Sequence, residues 1–170
     1  SGKAHGLNEF VDSICNDDSK LVIVPDAGSG DIEECKKIIE FGKDVIILDH
    51  HNIKDINDNI PDNPAIVVNN QYSSKVTDKS MTGVGIVYKF MKVLDKYYGV
   101  NYSDDYMDLV ALGMIGDRAD TFNLQTRYYI LKGLELIKNK VNNNKLIRIM
   151  VDAQMYSMNN KVTINSVGFY

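Results

Sequence analysis

Val45-Ile46-Ile47-Leu48-Asp49-His50-His51 is the stretch on which the fold turns. Its first four residues do not alternate with polar ones, the pattern of a strand covered on both faces in a parallel sheet, and the run stops abruptly at three ionisable groups. On either side of it, Leu21 to Val24 and Ala65 to Val68 repeat the same signal. Between the first two runs, Asp31 to Phe41 spaces Ile32, Cys35, Ile38 and Ile39 along one face, with Glu33, Glu34, Lys36, Lys37 and Glu40 elsewhere. That spacing predicts an amphipathic helix, with Asp31 as N-cap and Gly42 as its stop. Strand, helix and strand in this length make a βαβ unit. The expected fold class is therefore α/β, a parallel β-sheet flanked by helices.

Beyond Asn69-Asn70 the pattern turns helical, which predicts a helix-rich C-terminal half. Gly83 to Tyr97 carries Val84, Val87, Tyr88, Met91 and Leu94 at helical spacing and ends at Gly99. Asp104 to Ile115 follows, with Ser103 as the expected cap. Further helices are expected over Thr126 to Lys138 and about Lys145 to Gln154, separated by the polar linker Asn139 to Asn144. Asn57 to Pro64 reads as a turn-rich loop, and Lys161 to Tyr170 as a strand or the opening of another element.

At 170 residues, 44% hydrophobic and 25% charged, the chain has globular composition, which excludes disordered, collagen-like and coiled-coil classes. One domain is expected, able to bury roughly 70% of its unfolded surface. The net charge of −4 excludes a general polyanion binder, so any nucleic-acid contact must be local. No apolar run approaches the ~18–20 residues that cross a bilayer, and Ser1-Gly2-Lys3-Ala4-His5 does not resemble a signal peptide. A cytoplasmic protein with no membrane partner is the expectation. Cys15 and Cys35 lack the count and spacing of a disulfide framework or a metal site and are expected to be reduced and inert.

The chemistry gathers at strand ends. The first strand runs into Pro25-Asp26-Ala27-Gly28-Ser29 and the second into Asp49-His50-His51, and open parallel sheets bind ligands outside the carboxyl ends of their strands. Turn duty is the plain alternative for Asp26. Three adjacent ionisable groups after an apolar strand are harder to explain that way, because desolvating them requires compensating partners. Carboxylate with neutral imidazole is a ligand set for Mn²⁺, Fe²⁺ or Zn²⁺. Leu109 to Ile115 runs into Gly116 and Asp117, which offers a further carboxylate or a helix terminator. Arg118 is suited to phosphate, and Gly83-Val84-Gly85 opens a helix whose amides can accept an anion. No P-loop and no Gly-x-Ser-x-Gly elbow occurs.

In order and spacing, Asp26-Ala27-Gly28-Ser29, Asp49-His50-His51, Gly83-Val84-Gly85 and Ala111 to Asp117 resemble the DHH phosphoesterases, and within them the RecJ-type single-strand-specific exonucleases. Asn123 to Arg127 with Gly133-Leu134 is similar to the family's segment after its last metal aspartate, and Val167 to Tyr170 looks like the start of the stretch leading to its second domain. The resemblance implies a two-metal phosphodiesterase using Mn²⁺ or Mg²⁺, in which Asp26 is the bridging carboxylate and His50 and Asp117 are metal ligands. Asp49 and His51 take the remaining motif positions, orienting ligands and contacting phosphate, with Arg118, Gly83 and Gly85 as further candidate phosphate contacts. It also implies single-stranded DNA or short oligonucleotides as substrate, cleaved from the 5′ end, and work in DNA repair and recombination beside single-strand-binding or replication proteins.

The family's first motif, an aspartate pair on an upstream strand, has no counterpart, since Asn16-Asp17-Asp18 lies in a loop-like context too close to the next strand. The C-terminal domain that grips nucleic acid is also missing. The chain thus reads as an interior piece of a DHH domain, expected to bind one metal well at most and to cut weakly alone. Competing readings are an oligoribonuclease or cyclic-dinucleotide phosphodiesterase of the same superfamily, and a degenerate non-catalytic scaffold.

Overall fold

Branched apolar side chains at 21–24, 45–48 and 66–68 extend into three parallel strands in the computed structural model of the chain, which describes residues 6–52, 62–72, 75–76, 78–139, 145 and 149 and the backbone of 157–158 and 161–162. The chain divides into two compact units, Ser1–Val87 and Tyr88–Tyr170.

In the first unit, β1 (Leu21–Pro25), β2 (Asp44–Asp49) and β3 (Ile66–Asn69) lie in the order β1-β2-β3, all parallel, with α1 (Val11–Asn16) before β1 and α2 (Ile32–Glu40) between β1 and β2. Because side chains alternate along a strand, Val24, Val45 and Ile47 share one face. They form the core with Leu7, Val11, Cys15, Cys35 and Ile38. The register sets Ile23 beside Ile46 and Ile46 beside Ile66 on the opposite face. On that face Leu48 is buried and Ile46 half-buried, while Leu21 and Ile23 are each 47% exposed and Ile66 is 64% exposed. The expectation of strands covered on both faces is thus corrected. An unbroken apolar run reports that both faces are greasy, not that something lies on each.

Helix ends follow local chemistry. Gly42 takes φ +82 and donates its N–H to the Ile39 carbonyl, stopping α2 where the sequence places the stop. Asp31 stands at the N-cap position of α2, yet its side chain makes no cap bond; its Oδ2 accepts instead from the Leu7 N–H at 2.7 Å. The cap expected there is a tie to the N-terminal segment. Asp17 and Asp18 lie in a bend after α1, and Asp17 pairs with the buried Lys43 ammonium at 2.7 Å. Both cysteines are buried and free, and burial pushes the Cys35 thiol pKa up. Helix α3 (Gly83–Tyr98) starts in this unit and stops at Gly99, φ +68.

In the second unit, the single helix expected over Asp104 to Ile115 is a 3₁₀ turn, Ser103–Tyr106, followed by α4 (Met107–Gly116). Side chains around the turn account for the break. The Ser103 N–H and hydroxyl both donate to the Asp95 carboxylate, so Ser103 caps nothing, while Tyr88 Oη donates to Asp104 at 2.6 Å. Helix α5 (Leu124–Lys138) begins two residues before the expected start, because Asn123 is the cap and accepts from Gln125 N and Thr126 N. Gly133 of α5 lies against the Met107 carbonyl and Ala111 of α4, leaving no room for a side chain. A short antiparallel pair, β4 (Ser157–Met158) with β5 (Lys161–Val162), follows. Of the expected helix over Lys145 to Gln154 only Lys145 and Ile149 are described, both helical; most of the Asn57 to Pro64 loop and the segment after Val162 lie outside the described residues.

Candidate metal centre

The parallel register brings the ends of β1, β2 and β3 level, pairing Pro25 with Leu48 and Asp49 with Asn69, so residues just past these positions share one edge. Asp26 follows β1 with φ +61, a left-handed conformation that costs a non-glycine residue about 1 kcal/mol or more. Its N–H still reaches the Leu48 carbonyl at 2.8 Å, which anchors the turn to the sheet. The Asp26 carboxylate projects beside Gly83, the first residue of α3, where any Cβ would collide with it.

His50 and His51 leave β2 on the same edge. His50 Nε2 lies 3.1 Å from Asp26 Oδ1, and the two imidazole rings are 4.5 Å apart between centroids. One ligand atom each from Asp26, His50 and His51 falls within a common 4.8 Å. Asp26 and His51 are exposed and His50 is half-buried, so the cluster opens to solvent. A carboxylate oxygen and two imidazole nitrogens converging at this spacing suit a borderline divalent cation.

Asp49 does not join that cluster. It is 1% exposed and its carboxylate is surrounded by donors: Oδ1 accepts from His50 N (2.7 Å), His51 N (3.2 Å) and His51 Nδ1 (2.7 Å), and Oδ2 from Ser29 N (3.2 Å). Burial alone would push its pKa up, but the bonds from His51, Ser29 and His50 outweigh burial and hold the carboxyl below its ordinary range. An ionised carboxylate only accepts, so His51 donates its Nδ1–H to it, and Nε2 is the ring nitrogen left to meet a cation.

Two residues that periodicity does not single out, Ser29 and Asn69, complete the support. Asn69 Nδ2 donates to Ser29 Oγ and to the His51 carbonyl, both at 3.0 Å. Their signal in the sequence is only position, since each follows or ends a strand on the edge where ligands bind. Gly83 and Gly85, expected as anion contacts, are both buried in the first turn of α3, and Gly83 is occupied in making room for Asp26.

Asp117 and Arg118 belong to the second unit, at the end of α4. Arg118 has φ +54; its N–H donates to the Ile115 carbonyl and that of Ala119 to Met114, the paired bonds of a Schellman ending with arginine where glycine is usual. Asp117 is the C-cap residue just before this turn, with an exposed side chain.

Comparison with known proteins agrees with this geometry. The sequence profile of the DHH family, N-terminal domain, matches residues 3–114. A putative SPbeta prophage-derived single-strand DNA-specific exonuclease, YorK of Bacillus subtilis (strain 168), is 37% identical over 99% of the chain, which spans 27% of that relative. The single-stranded-DNA-specific exonuclease RecJ of the same organism is 32% identical over 76% of the chain, covering 16% of RecJ. Among solved structures, RecJ from Thermus thermophilus in complex with Mn²⁺ superposes with a TM-score of 0.79 at 25% identity, over 95% of this chain and 23% of that one. The chain therefore spans about a quarter or less of these relatives.

Proposed function

Because the chain belongs to the DHH family, whose N-terminal domain it carries over residues 3–114, we propose that it is the metal-holding core of a phosphodiesterase that removes nucleotides from single-stranded DNA, starting at the 5′ end. The observation that carries this reading is the convergence of Asp26, His50 and His51 donor atoms within 4.8 Å on the edge where a parallel sheet binds ligands. Relatives named as single-strand DNA-specific exonucleases, and a Mn²⁺-bound structural neighbour, support the substrate class and the cation.

In this reading Asp26, His50 and His51 hold Mn²⁺ or Mg²⁺, and the sequence motif adds Asp117 to the ligand set as a second carboxylate. When bound, paired divalent ions would supply an acidified water and neutralise charge on the phosphate. The remaining work falls to the chain. Asp49 keeps the His51 ring turned so that Nε2 faces outward, and Asp26 is held rigid by its backbone bond to Leu48. In the reaction a water oxygen adds to phosphorus and the P–O3′ bond breaks, the proton lost by water ending on the 3′ oxygen. Arg118 is suited to grip a neighbouring phosphate bidentately.

Since the chain spans 27% of the prophage relative and 16% of RecJ, we place substrate grip and a second set of ligands in polypeptide beyond these residues, with weak cleavage expected from the 170 residues alone. The test is a digestion panel of 5′-labelled single-stranded DNA, duplex DNA, short RNA and cyclic dinucleotides with Mn²⁺. Release of mononucleotides from single-stranded DNA alone, abolished in His50→Ala, is the expected result. Activity that survives His50→Ala, or that favours cyclic dinucleotides, refutes the reading.

A further inference from the structure

Asn69 ends β3 and is 7% exposed, with all of its described side-chain hydrogen bonds made by the amide in fixed directions. Its Oδ1 accepts from the Gln71 N–H at 2.8 Å, an Asx turn that closes the strand. Its Nδ2 donates over much longer sequence separations, to Ser29 Oγ at 3.0 Å and to the His51 carbonyl at 3.0 Å. The amide orientation is forced, because a backbone N–H can only donate and a backbone carbonyl can only accept. Aspartate would make the same turn but has no hydrogen to give, so the turn alone does not account for an amide here.

The two groups that Asn69 holds are the two ends of the Asp49 network. Ser29, 1% exposed, donates its N–H to Asp49 Oδ2, and His51 donates Nδ1 to Asp49 Oδ1. One side chain on β3 thereby fixes the loop after β1 and the backbone after β2 against each other. Both polar atoms of the Asn69 amide are taken up by these bonds to Gln71, Ser29 and the His51 carbonyl.

We propose that Asn69 is a positioning residue for the metal centre: bridging Ser29 and the His51 carbonyl, it holds the loop and the imidazole in the relation that leaves His51 Nε2 facing the ion. The inference rests on the metal-dependent reading above, and two measurements separate its failure from the failure of that reading. Calorimetric titration with Mn²⁺ is run on the unaltered chain, Asn69→Ala, Ser29→Ala and Ile38→Val, the last a core change in the same unit remote in kind from the network. In parallel, the ring-nitrogen signals of His51 are read by ¹H–¹⁵N correlation in the metal-free chains at about pH 8, above the ordinary histidine range.

Asn69→Ala is expected to weaken Mn²⁺ binding about 10-fold, the usual effect of losing a ligand's outer support, and to shift the His51 signals away from the Nδ1-protonated tautomer. Ser29→Ala, which leaves the backbone bond to Asp49 intact, is expected to move both readouts the same way by less. It carries the test if Asn69→Ala does not fold. Ile38→Val is expected to lower the melting temperature and leave both readouts in place. The proposal is overturned if affinity and tautomer stay within twofold and unshifted in both network variants, or if Ile38→Val weakens Mn²⁺ binding equally. Absence of Mn²⁺ binding by the unaltered chain, with a tautomer that still responds to Asn69→Ala, refutes the metal reading and upholds the positioning.

Discussion

Gly83→Ala separates the stability of the fold from the integrity of the site. Glycine within a helix is less favourable than alanine by up to about 1 kcal/mol, and less at a first-turn position, so the bare expectation is a slightly more stable α3. The structure adds an opposing consequence. A methyl at 83 occupies the space of the Asp26 carboxylate, whose neighbouring backbone is held by the sheet bond to Leu48, so the carboxylate must swing away. The Asp26 side chain is 63% exposed, and moving it into water costs the fold little. The new methyl also meets the Asp26 Cβ at 2.9 Å, so the turn itself must give and the net change is a loss of about 1–3 kcal/mol, at roughly 2–4 °C per kcal/mol for a chain of this size. Metal binding responds differently, since one of three converging ligands is displaced. Affinity for Mn²⁺ is expected to fall at least about 10-fold, the lower end of what disturbing a ligand causes. Thermal melting and Mn²⁺ calorimetry on the same preparation read both quantities. Unchanged Mn²⁺ affinity in Gly83→Ala would refute the reasoning, because it would mean that Asp26 is not a ligand or is not where its contact with Gly83 puts it.

Asp49, held below its ordinary pKa by His51, Ser29 and His50, contributes stability that is fully present above the unfolded value of about 3.9 and is lost as pH falls through the folded value. Asp49→Asn is therefore expected to flatten the acid limb of a pH-melting curve, and an unchanged limb counts against the network. Asp108 behaves oppositely: burial raises its pKa, so Asp108→Asn, which removes the buried charge, should stabilise the chain near neutral pH. That gain should vanish below the unfolded pKa, and urea melts at about pH 7 and about pH 3, either side of the ordinary carboxylate value, check it. The open sheet face predicts binding of an environment-sensitive apolar dye. Ile23→Thr with Ile66→Thr should cut the fluorescence at least about twofold if the face at Ile23 and Ile66 is the site.

Much of the fold was legible because apolar runs and amphipathic spacing are local signals. The three strands and the helices beginning at Ile32, Gly83 and Leu124 follow from residues that lie within a few positions of one another. What escaped depended on partners distant in sequence. Asp31 was readable as a cap only while Leu7 was unknown, and Ser103 only while Asp95 was. The bare sheet face escaped for the same reason, since periodicity names a greasy side without saying what meets it. Within the site, Asp26, Asp49, His50 and His51 stood out by charge at strand ends. The division of labour among them did not, because it depends on which carboxylate is surrounded by donors and which faces water. Ser29 and Asn69 are ordinary residues in the sequence, and only the level register of the strands makes them a bridge.

Among the described residues, Asp26 and Arg118 alone hold a left-handed backbone without being glycine. Glycine would sit more easily at either position, so a laboratory selection for heat resistance and nothing else should accumulate Asp26→Gly and Arg118→Gly. Such hardened descendants would melt later and have lost a carboxylate and a guanidinium together. Retention of both residues under a selection of that kind would be the mark of a duty other than endurance.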